Sequence, residues 1–285
     1  AELMQRVSGI NELTAAVEAA KKDGLEVAFV PTMGALHEGH LSLIKEARRH
    51  ASFVVVSIFV NPLQFGAGED FEKYPRAIEE DAKKLDGIGV SVLFTPTVND
   101  LYRGNLNVSE SAGHIGELYE GAARPDHFDG MLTVVARLFE AVKPNYAVFG
   151  AKDAQQVFLV KQMAAQKFPD LEIVVAPTVR EANGLALSSR NRYLSEADHK
   201  VAEHISAALR IGHATASSGS AGPQAVIDAA RTVMAKVPEA KLDYIALVDA
   251  DTFEAVTDGF TGRAILLIAA VVGETRLIDN LEITF

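Results

Sequence analysis

The stretch Phe53-Val54-Val55-Val56-Ser57-Ile58-Phe59-Val60 restricts the possible folds more than any other. It is apolar on both faces, and such a strand must be covered by protein on both sides, as the central strands of a parallel sheet are. The neighbouring segments carry the pattern further. Ile10, Leu13, Val17 and Ala20 recur at helical spacing and run into Gly24, and a second apolar run occupies 26–30. Helical patterns over 75–86, 131–142 and 153–167 alternate with strand-like runs at 90–94, 145–149 and 172–176. This alternation over roughly the first 180 residues predicts an α/β fold with a doubly wound parallel sheet. Ligands in such sheets bind beyond the carboxyl ends of the strands.

The texture then changes. Residues 195–216 form a long, alanine-rich helical pattern, and 217–223 is a Ser/Gly turn. A second helix is expected over 223–236, with strand-like segments at 244–248, 264–272 and 276–283. The expected organisation is therefore a larger domain at 1–178 and a smaller α+β domain at 179–285.

Composition narrows the function. The 285 residues carry a formal charge of −11, so no basic field exists to drive general binding to nucleic acid or anionic membrane. The absence of cysteine removes disulfides, thiolate metal sites and thioester catalysis together. The first residues lack a signal pattern, and the longest apolar run, 264–272, is too short to span a bilayer. The expected location is the cytoplasm.

Five elements could carry chemistry. Pro31-Thr32-Met33-Gly34-Ala35-Leu36-His37-Glu38-Gly39-His40 reads as a strand end, a glycine turn and a helix starting near Gly39. Such a junction should aim free backbone N–H groups and the positive end of the helix dipole at one spot, a seat for phosphate. His37 and His40, three apart, would share a face beside it. They could donate to phosphate oxygens; a zinc site is disfavoured because no third ligand is evident. At the exit of the buried strand, Asn61 and Gln64 offer amides for a small polar acid, or else cap a plain turn.

The segment Arg124-Pro125-Asp126-His127-Phe128-Asp129-Gly130 reads as an ordinary surface loop. At Gly150-Ala151-Lys152-Asp153-Ala154-Gln155-Gln156 a strand ends and a helix begins, which puts Lys152 over the crevice. Last comes Glu181-Ala182-Asn183-Gly184-Leu185-Ala186-Leu187-Ser188-Ser189-Arg190-Asn191. It reads either as an inter-domain linker or as a mobile anion-binding loop. Phosphate donors and small-substrate amides on one doubly wound sheet point to a nucleotide together with a small polar acid.

Taken together, these residues resemble the pantoate–β-alanine ligase family. The likeness runs over 31–40, 57–65, 124–130, 149–156 and 180–191, nearly the whole chain. The His-x-Gly-His part alone also marks the wider nucleotidylyltransferases. The resemblance implies a Rossmann-like domain followed by a C-terminal lid domain, and a homodimer formed through the first. It implies ATP-dependent joining of pantoate and β-alanine through a pantoyl adenylate, with release of pyrophosphate and then AMP. Met33, Gly34, Ala35, Leu36, His37, Glu38, Gly39 and His40 would bind ATP, with His40 as catalytic acid and His37 on the phosphates. Gly150, Ala151, Lys152, Asp153, Val179, Leu187, Ser188, Ser189 and Arg190 match further ATP contacts. Lys152, Ser188 and Arg190 would stabilise the leaving pyrophosphate, and Gln64 and Gln156 would hold pantoate, with Gln64 also bordering the β-alanine route; Asn61 is added as a substrate amide on the reading of its turn above.

Mg²⁺ is implied as the partner of ATP, with Glu80 and Asp81 in a region able to contact it; a solvated helix face is the competing reading of those charges. Asn183 and Leu187 stand where the family commonly has Asp and Met. The Leu101-Tyr102-Arg103 segment also departs from the usual form, which bears on a lid or gate. The rival readings are an adenylyltransferase that leaves AMP on its product and a non-catalytic nucleotide-sensing module. A tRNA-charging enzyme fits poorly with the acidic charge and the lack of an anticodon-binding extension.

Overall fold

The computed structural model describes residues 3–69, 71–74 and 76–285. By its internal contacts the chain divides into two units. The first comprises residues up to Ala151 together with Gln155–Pro177, and the second comprises Lys152–Ala154 and Thr178–Phe285.

The first unit contains a six-stranded sheet in which every paired strand is parallel. Its strands are β1 (Gln5–Val7), β2 (Val27–Thr32), β3 (Phe53–Ile58), β4 (Val92–Phe94), β5 (Tyr146–Gly150) and β6 (Glu172–Ala176). Their order is β1-β4-β3-β2-β5-β6. The long helices between them are α1 (Ile10–Lys22), α2 (Glu38–His50), α3 (Ile78–Leu85), α6 (His127–Val142) and α7 (Ala154–Lys167). Short helices α4 (Val98–Tyr102) and α5 (Glu120–Ala123) lie between β4 and α6.

The chain winds outward from β2 through β3 to β4, then returns to place β5 on the other side of β2. That reversal is the switch point of a doubly wound sheet, and the crevice beyond its strand ends is where such folds take ligands. β2 and β5 pair across it through Ala28↔Tyr146 and Phe29↔Ala147. β3 is apolar on both sides because it is central, and five of its six residues are buried. One face of the sheet buries Val30, Val54, Val56, Ile58 and Val148 against Ile44 and Ala47 of α2.

In the second unit an antiparallel sheet orders β7 (Ala240–Asp249), β8 (Arg263–Val272) and β9 (Thr275–Thr284). Helices α8 (Glu196–Ser217) and α9 (Pro223–Ala235) supply Ala202, Ile205, Leu209, Val226 and Ala230 to its core. Ser195 caps α8 by accepting the Asp198 N–H, and Pro223 opens α9 at a position where no amide donor is needed.

Element types follow the sequence expectation, with four differences. β1 joins the sheet edge beside β4, a pairing that three residues are too few to announce. α3 starts at Ile78, so of the helix expected from 75 the part at Pro75 lies outside the described residues. α6 starts four residues before the expected 131. The 101–103 segment is helical: Tyr102 ends α4 at 1% exposure and Arg103 closes it in the left-handed region, φ 51°. Among the described residues no helix is long and apolar enough to cross a membrane.

Candidate active site

β2 runs through Thr32, and the 33–40 loop then turns into α2 at the switch point. Gly34 takes φ 84°, a conformation that favours glycine, and a Cβ there would press on Asp81 Oδ2 at 3.0 Å and Ile58 Cγ2 at 3.1 Å. The Gly34 N–H donates to Thr32 Oγ1 at 3.1 Å, and Thr32 Oγ1 donates to Ser57 O at 2.8 Å. Asp81, 2% exposed on α3, accepts the Ala35 N–H on Oδ2 at 3.0 Å and the Leu36 N–H on Oδ1 at 2.9 Å. Lys84 donates to Leu36 O at 2.8 Å.

The two histidines close the loop. α2 starts at Glu38, one residue earlier than expected, with His37 as its N-cap. His37 Nδ1 accepts the Gly39 N–H at 3.0 Å, and His40 Nδ1 accepts the His37 N–H at 3.1 Å. This is a capping box in which both side-chain acceptors are imidazoles. The tautomers are assigned from these bonds: a nitrogen that accepts an amide N–H carries no proton, so each neutral ring holds its hydrogen on Nε2. The ring centroids are 4.2 Å apart. The pair is thus two pre-set N–H donors at the positive end of a helix, suited to an anion.

The expected phosphate seat of free backbone amides is therefore corrected. The N–H groups of Gly34, Ala35, Leu36, His37 and Gly39 each already have an acceptor within the first unit. Beside these amides the two rings add side-chain donors. Glu38 is exposed in the first turn of α2.

The turn after β3 orients an amide in the same way. Asn61 is 1% exposed. Its Nδ2 donates to Gly130 O and to Gln64 Oε1, each at 3.0 Å. Its Oδ1 accepts Tyr102 Oη–H at 2.6 Å and the Leu63 N–H at 3.3 Å. Gly130 O can only accept and the Leu63 N–H can only donate, so the amide has one orientation. Gln64 must then turn its oxygen to Asn61 and keep Nε2 as a donor, 3.5 Å from Met33 Sδ. All of Asn61's donors and acceptors are used internally. These bonds fix the Asn61 amide and, through it, the orientation of the Gln64 amide.

The segment around Arg124, read from sequence as a surface loop, supports this turn. His127, nearly buried at the start of α6, donates from Nδ1 to Gln64 O at 2.8 Å. Arg124 Nε donates to Glu69 Oε2 at 2.6 Å, and Glu69 Oε1 accepts the Gly66 N–H. Burial pushes the Glu69 carboxyl up, but the Gly66 N–H and Arg124 outweigh it and hold the group below its ordinary value. A Cβ at Gly130 would lie 2.1 Å from Leu63 O, so only glycine lets α6 close on the turn. Burial raises the Tyr102 phenol well above its ordinary value, partly opposed by Arg137, so it stays a donor to Asn61. What the sequence could have shown is the Phe128–Gly130 pattern beside an Asn-Pro turn; the long-range contact itself has no local signal.

Of the paired glutamines, Gln155 is committed to structure. It donates to Ile115 O and Leu118 O, each at 2.8 Å, and accepts the Glu120 N–H at 3.1 Å. Gln156 is half-buried. Gly150 ends β5, and the Ala151 N–H donates to Ala176 O at 2.9 Å.

Lys152, Asp153, Val179, Leu187, Ser188, Ser189 and Arg190 belong to the second unit. Lys152 is 20% exposed, with Nζ 3.7 Å from Asp153 Oδ1. The 180–191 segment is a small hairpin rather than a loose linker: Arg180 bridges Ala186, and the Leu187 N–H donates to Val179 O at 2.9 Å. Asn183 accepts the Leu185 N–H and donates to Glu203 Oε1 at 2.9 Å. Ser188 accepts the Arg190 N–H at 3.2 Å and caps the turn Ser189–Tyr193. Glu80 lies on the exposed side of α3, and the described residues contain no cluster of three or more His, Asp or Glu able to hold a metal. Asp81 serves the loop first; a metal contact would have to use its remaining lone pairs.

A doubly wound sheet with paired imidazole donors at its switch point places the chain among the nucleotide-binding α/β enzymes. Comparison with known proteins narrows this. A family model described as pantoate-beta-alanine ligase matches residues 5–282. A pantothenate synthetase of Mycobacterium sp. (strain KMS) is 49% identical over 273 residues, spanning 95% of this chain and 85% of its own. One from Leifsonia xyli subsp. xyli is 52% identical over 259 residues, 90% of this chain and 89% of its own. Among solved structures, pantothenate synthetase from Thermus thermophilus matches with a TM-score of 0.92 at 44% identity, over 99% of this chain and 100% of that one. Pantoate-beta-alanine ligase from Francisella tularensis, complexed with beta-gamma ATP and β-alanine, matches with a TM-score of 0.78 at 37% identity, over 98% and 97%. The chain belongs to the pantoate–β-alanine ligase family. It is an enzyme, a ligase of pantoate and β-alanine.

Proposed function

We propose that the chain performs this ligation through an adenylate. The pantoate carboxylate attacks the α-phosphorus of ATP; a new P–O bond forms, the bond to the β-phosphate oxygen breaks, and pyrophosphate leaves. The amine of β-alanine then attacks the acyl carbon, loses a proton, and expels AMP to give pantothenate. No covalent enzyme nucleophile is needed, and the chain has no cysteine to offer one. Catalysis then rests on positioning and on neutralising charge as it develops.

The observation that carries the reading is the histidine capping box. Both rings have their Nδ1 committed to backbone N–H groups, so both hold Nε2–H in place without reorganisation. We assign His40 as the acid at the reacting phosphate and His37 to the neighbouring phosphate oxygens, with the remaining 33–40 residues shaping the nucleotide contact. Gln64, oriented by Asn61, and Gln156 are assigned to pantoate, with Gln64 also bordering the β-alanine route. Gly150, Ala151, Asp153, Val179, Leu187 and Ser189 are assigned to ATP, and Lys152, Ser188 and Arg190 to the departing pyrophosphate.

Mg²⁺ is assigned to the phosphates of ATP as part of the substrate, with Asp81 and Glu80 as its candidate protein contacts. A homodimer formed through the first unit and a cytoplasmic location rest on the family resemblance; sedimentation at micromolar concentration tests the dimer.

The test is pyrophosphate release from ATP with pantoate, followed by AMP release on adding β-alanine. Release that needs pantoate, with AMP appearing only with the amine, is expected. No pantoate-dependent release would sink the adenylate route, and release without amine-dependent AMP would point to an adenylyltransferase.

A further inference from the structure

We infer that Asp279 and Asn280, neighbours on β9, are positioning residues for adenylate formation: together they hold the backbone at Lys152 and the root of the hairpin carrying Ser188 and Arg190. The inference rests on the roles proposed above for Lys152 and Arg190. All the contacts involved lie within the second unit.

Asp279 is 4% exposed and grips Arg180 through both oxygens. Arg180 NH1 donates to Oδ2 at 2.5 Å and NH2 to Oδ1 at 2.9 Å. Asp279 Oδ1 also accepts the N–H of Asn280 at 2.8 Å. Arg180 opens the hairpin, bridging Ala186 and donating to Gly184 O at 3.1 Å. On the other side, Asn280 Nδ2 donates to Lys152 O at 2.8 Å. Adjacent side chains of one strand thus fasten two segments far apart in sequence, each bearing a cation assigned to pyrophosphate. β9 also packs against the Ser189–Tyr193 turn.

Stability alone explains this poorly. A buried ion pair is often no more stabilising than apolar residues of equal volume, because desolvation offsets the attraction. What a two-point Arg–carboxylate fork supplies is direction. Direction matters here because a lysine ammonium is a point charge on a flexible stem, so its reach depends on where its backbone is held. Asn280 touches that backbone through the carbonyl and not through the reacting end, so its effect on Lys152 is one of placement.

The test measures single-turnover pyrophosphate release with pantoate and ATP, and separately AMP release from preformed pantoyl adenylate with β-alanine. Thermal melting accompanies both. Asn280→Ala is expected to slow the first step about tenfold while leaving the second step and the melting temperature nearly unchanged. Asn280→Asp, which sets an oxygen against Lys152 O, should be at least as slow. In a Lys152→Ala background, Asn280→Ala should cost less than about twofold more, since residues acting as one unit are not additive.

Arg180→Lys keeps the charge and drops the fork, and is expected to slow the first step selectively as well. Additive losses in the double variant, or both steps falling together with melting temperature, would mark a structural role and overturn the inference. A folded Asn280→Ala with unchanged pyrophosphate release would overturn it too. Unchanged release in Lys152→Ala would instead strike the role proposed for Lys152, and this inference with it.

Discussion

The two glycine-containing loops that the sequence marks for anion binding are built on opposite plans. In the 33–40 loop of the first unit nearly every backbone amide has a buried or ring acceptor, and the carboxylate of Asp81 reaches in from another helix to take two of them. The 180–191 hairpin of the second unit is tied at its root, by the Arg180–Asp279 fork, and along its length by its own Asn183 and Asn191. Its outer contacts are looser. His199 Nε2 lies 2.8 Å from Glu181 Oε2, within ion-pair distance, yet that buried oxygen has no aligned hydrogen bond, and Asn191 Oδ1 has none either. The first loop is a fixed surface with oriented donors. The second is held mainly at its base and by its own amides. A loop that must present two imidazole hydrogens in one direction gains from being stiff, because preorganised donors need no reorganisation during reaction.

The largest test of this contrast is Asp81→Ala. It strands two buried N–H groups, and we expect a loss of roughly 3 kcal/mol in urea unfolding together with collapse of pyrophosphate release. A mild stability loss would show that the loop does not depend on that carboxylate. His40→Ala should instead separate chemistry from folding: adenylation slowed about 100-fold or more against a stability loss of about 1 kcal/mol. Early melting with unchanged single-turnover adenylation would contradict the catalytic assignment.

Tyr102→Phe removes one donor from Asn61, with an expected cost of about 1–2 kcal/mol. Because the phenol is raised in the folded protein, its contribution is whole below the ordinary tyrosine value and fades only as pH rises through the raised one. The difference between wild type and variant should therefore be flat from about pH 6 to 9 in denaturation series.

On the hairpin, Asn183→Asp sets a second carboxylate against Glu203 and should cost about 0.5–1 kcal/mol, relieved by salt. A neutral result would mean that this contact does not hold the hairpin. The smallest effect belongs to Glu69→Gln. The Glu69 carboxyl is held low, so its contribution is present above the unfolded carboxylate value and disappears as pH falls through the lowered one. At neutral pH the partly exposed Arg124 pair should account for about 0.5 kcal/mol in thermal melts, and acid should abolish the difference.

The alternation of buried runs and helix patterns was enough to read the parallel sheet, because each strand states its burial locally. Types of element were therefore legible where length and period were strong, as in β3 and α8. β1 was not, since three residues carry no period and its place depends on β4. At the site, local spacing put His37 and His40 together, but it could not tell which ring nitrogen faces out. That is decided by the Gly39 and His37 amides. Asn61 and Gln64 look alike in sequence; Gly130 and Tyr102, distant along the chain, fix the Asn61 amide, and Asn61 in turn fixes which end of the buried Gln64 amide donates. Gln155 and Gln156 divide in the same way.

The β2–β5 ladder has a mechanical consequence. The two halves of the sheet are sewn together at Ala28 and Phe29, while β2–β3 runs over six pairs and β5–β6 over five. α2 packs on β2, β3, β5 and β6 together, and so acts as a splint laid across the short seam. The histidine cap that aims the two donors also secures the first turn of that splint. Loosening it should open the seam, and amide exchange in β2 and β5 would record the change before any global unfolding.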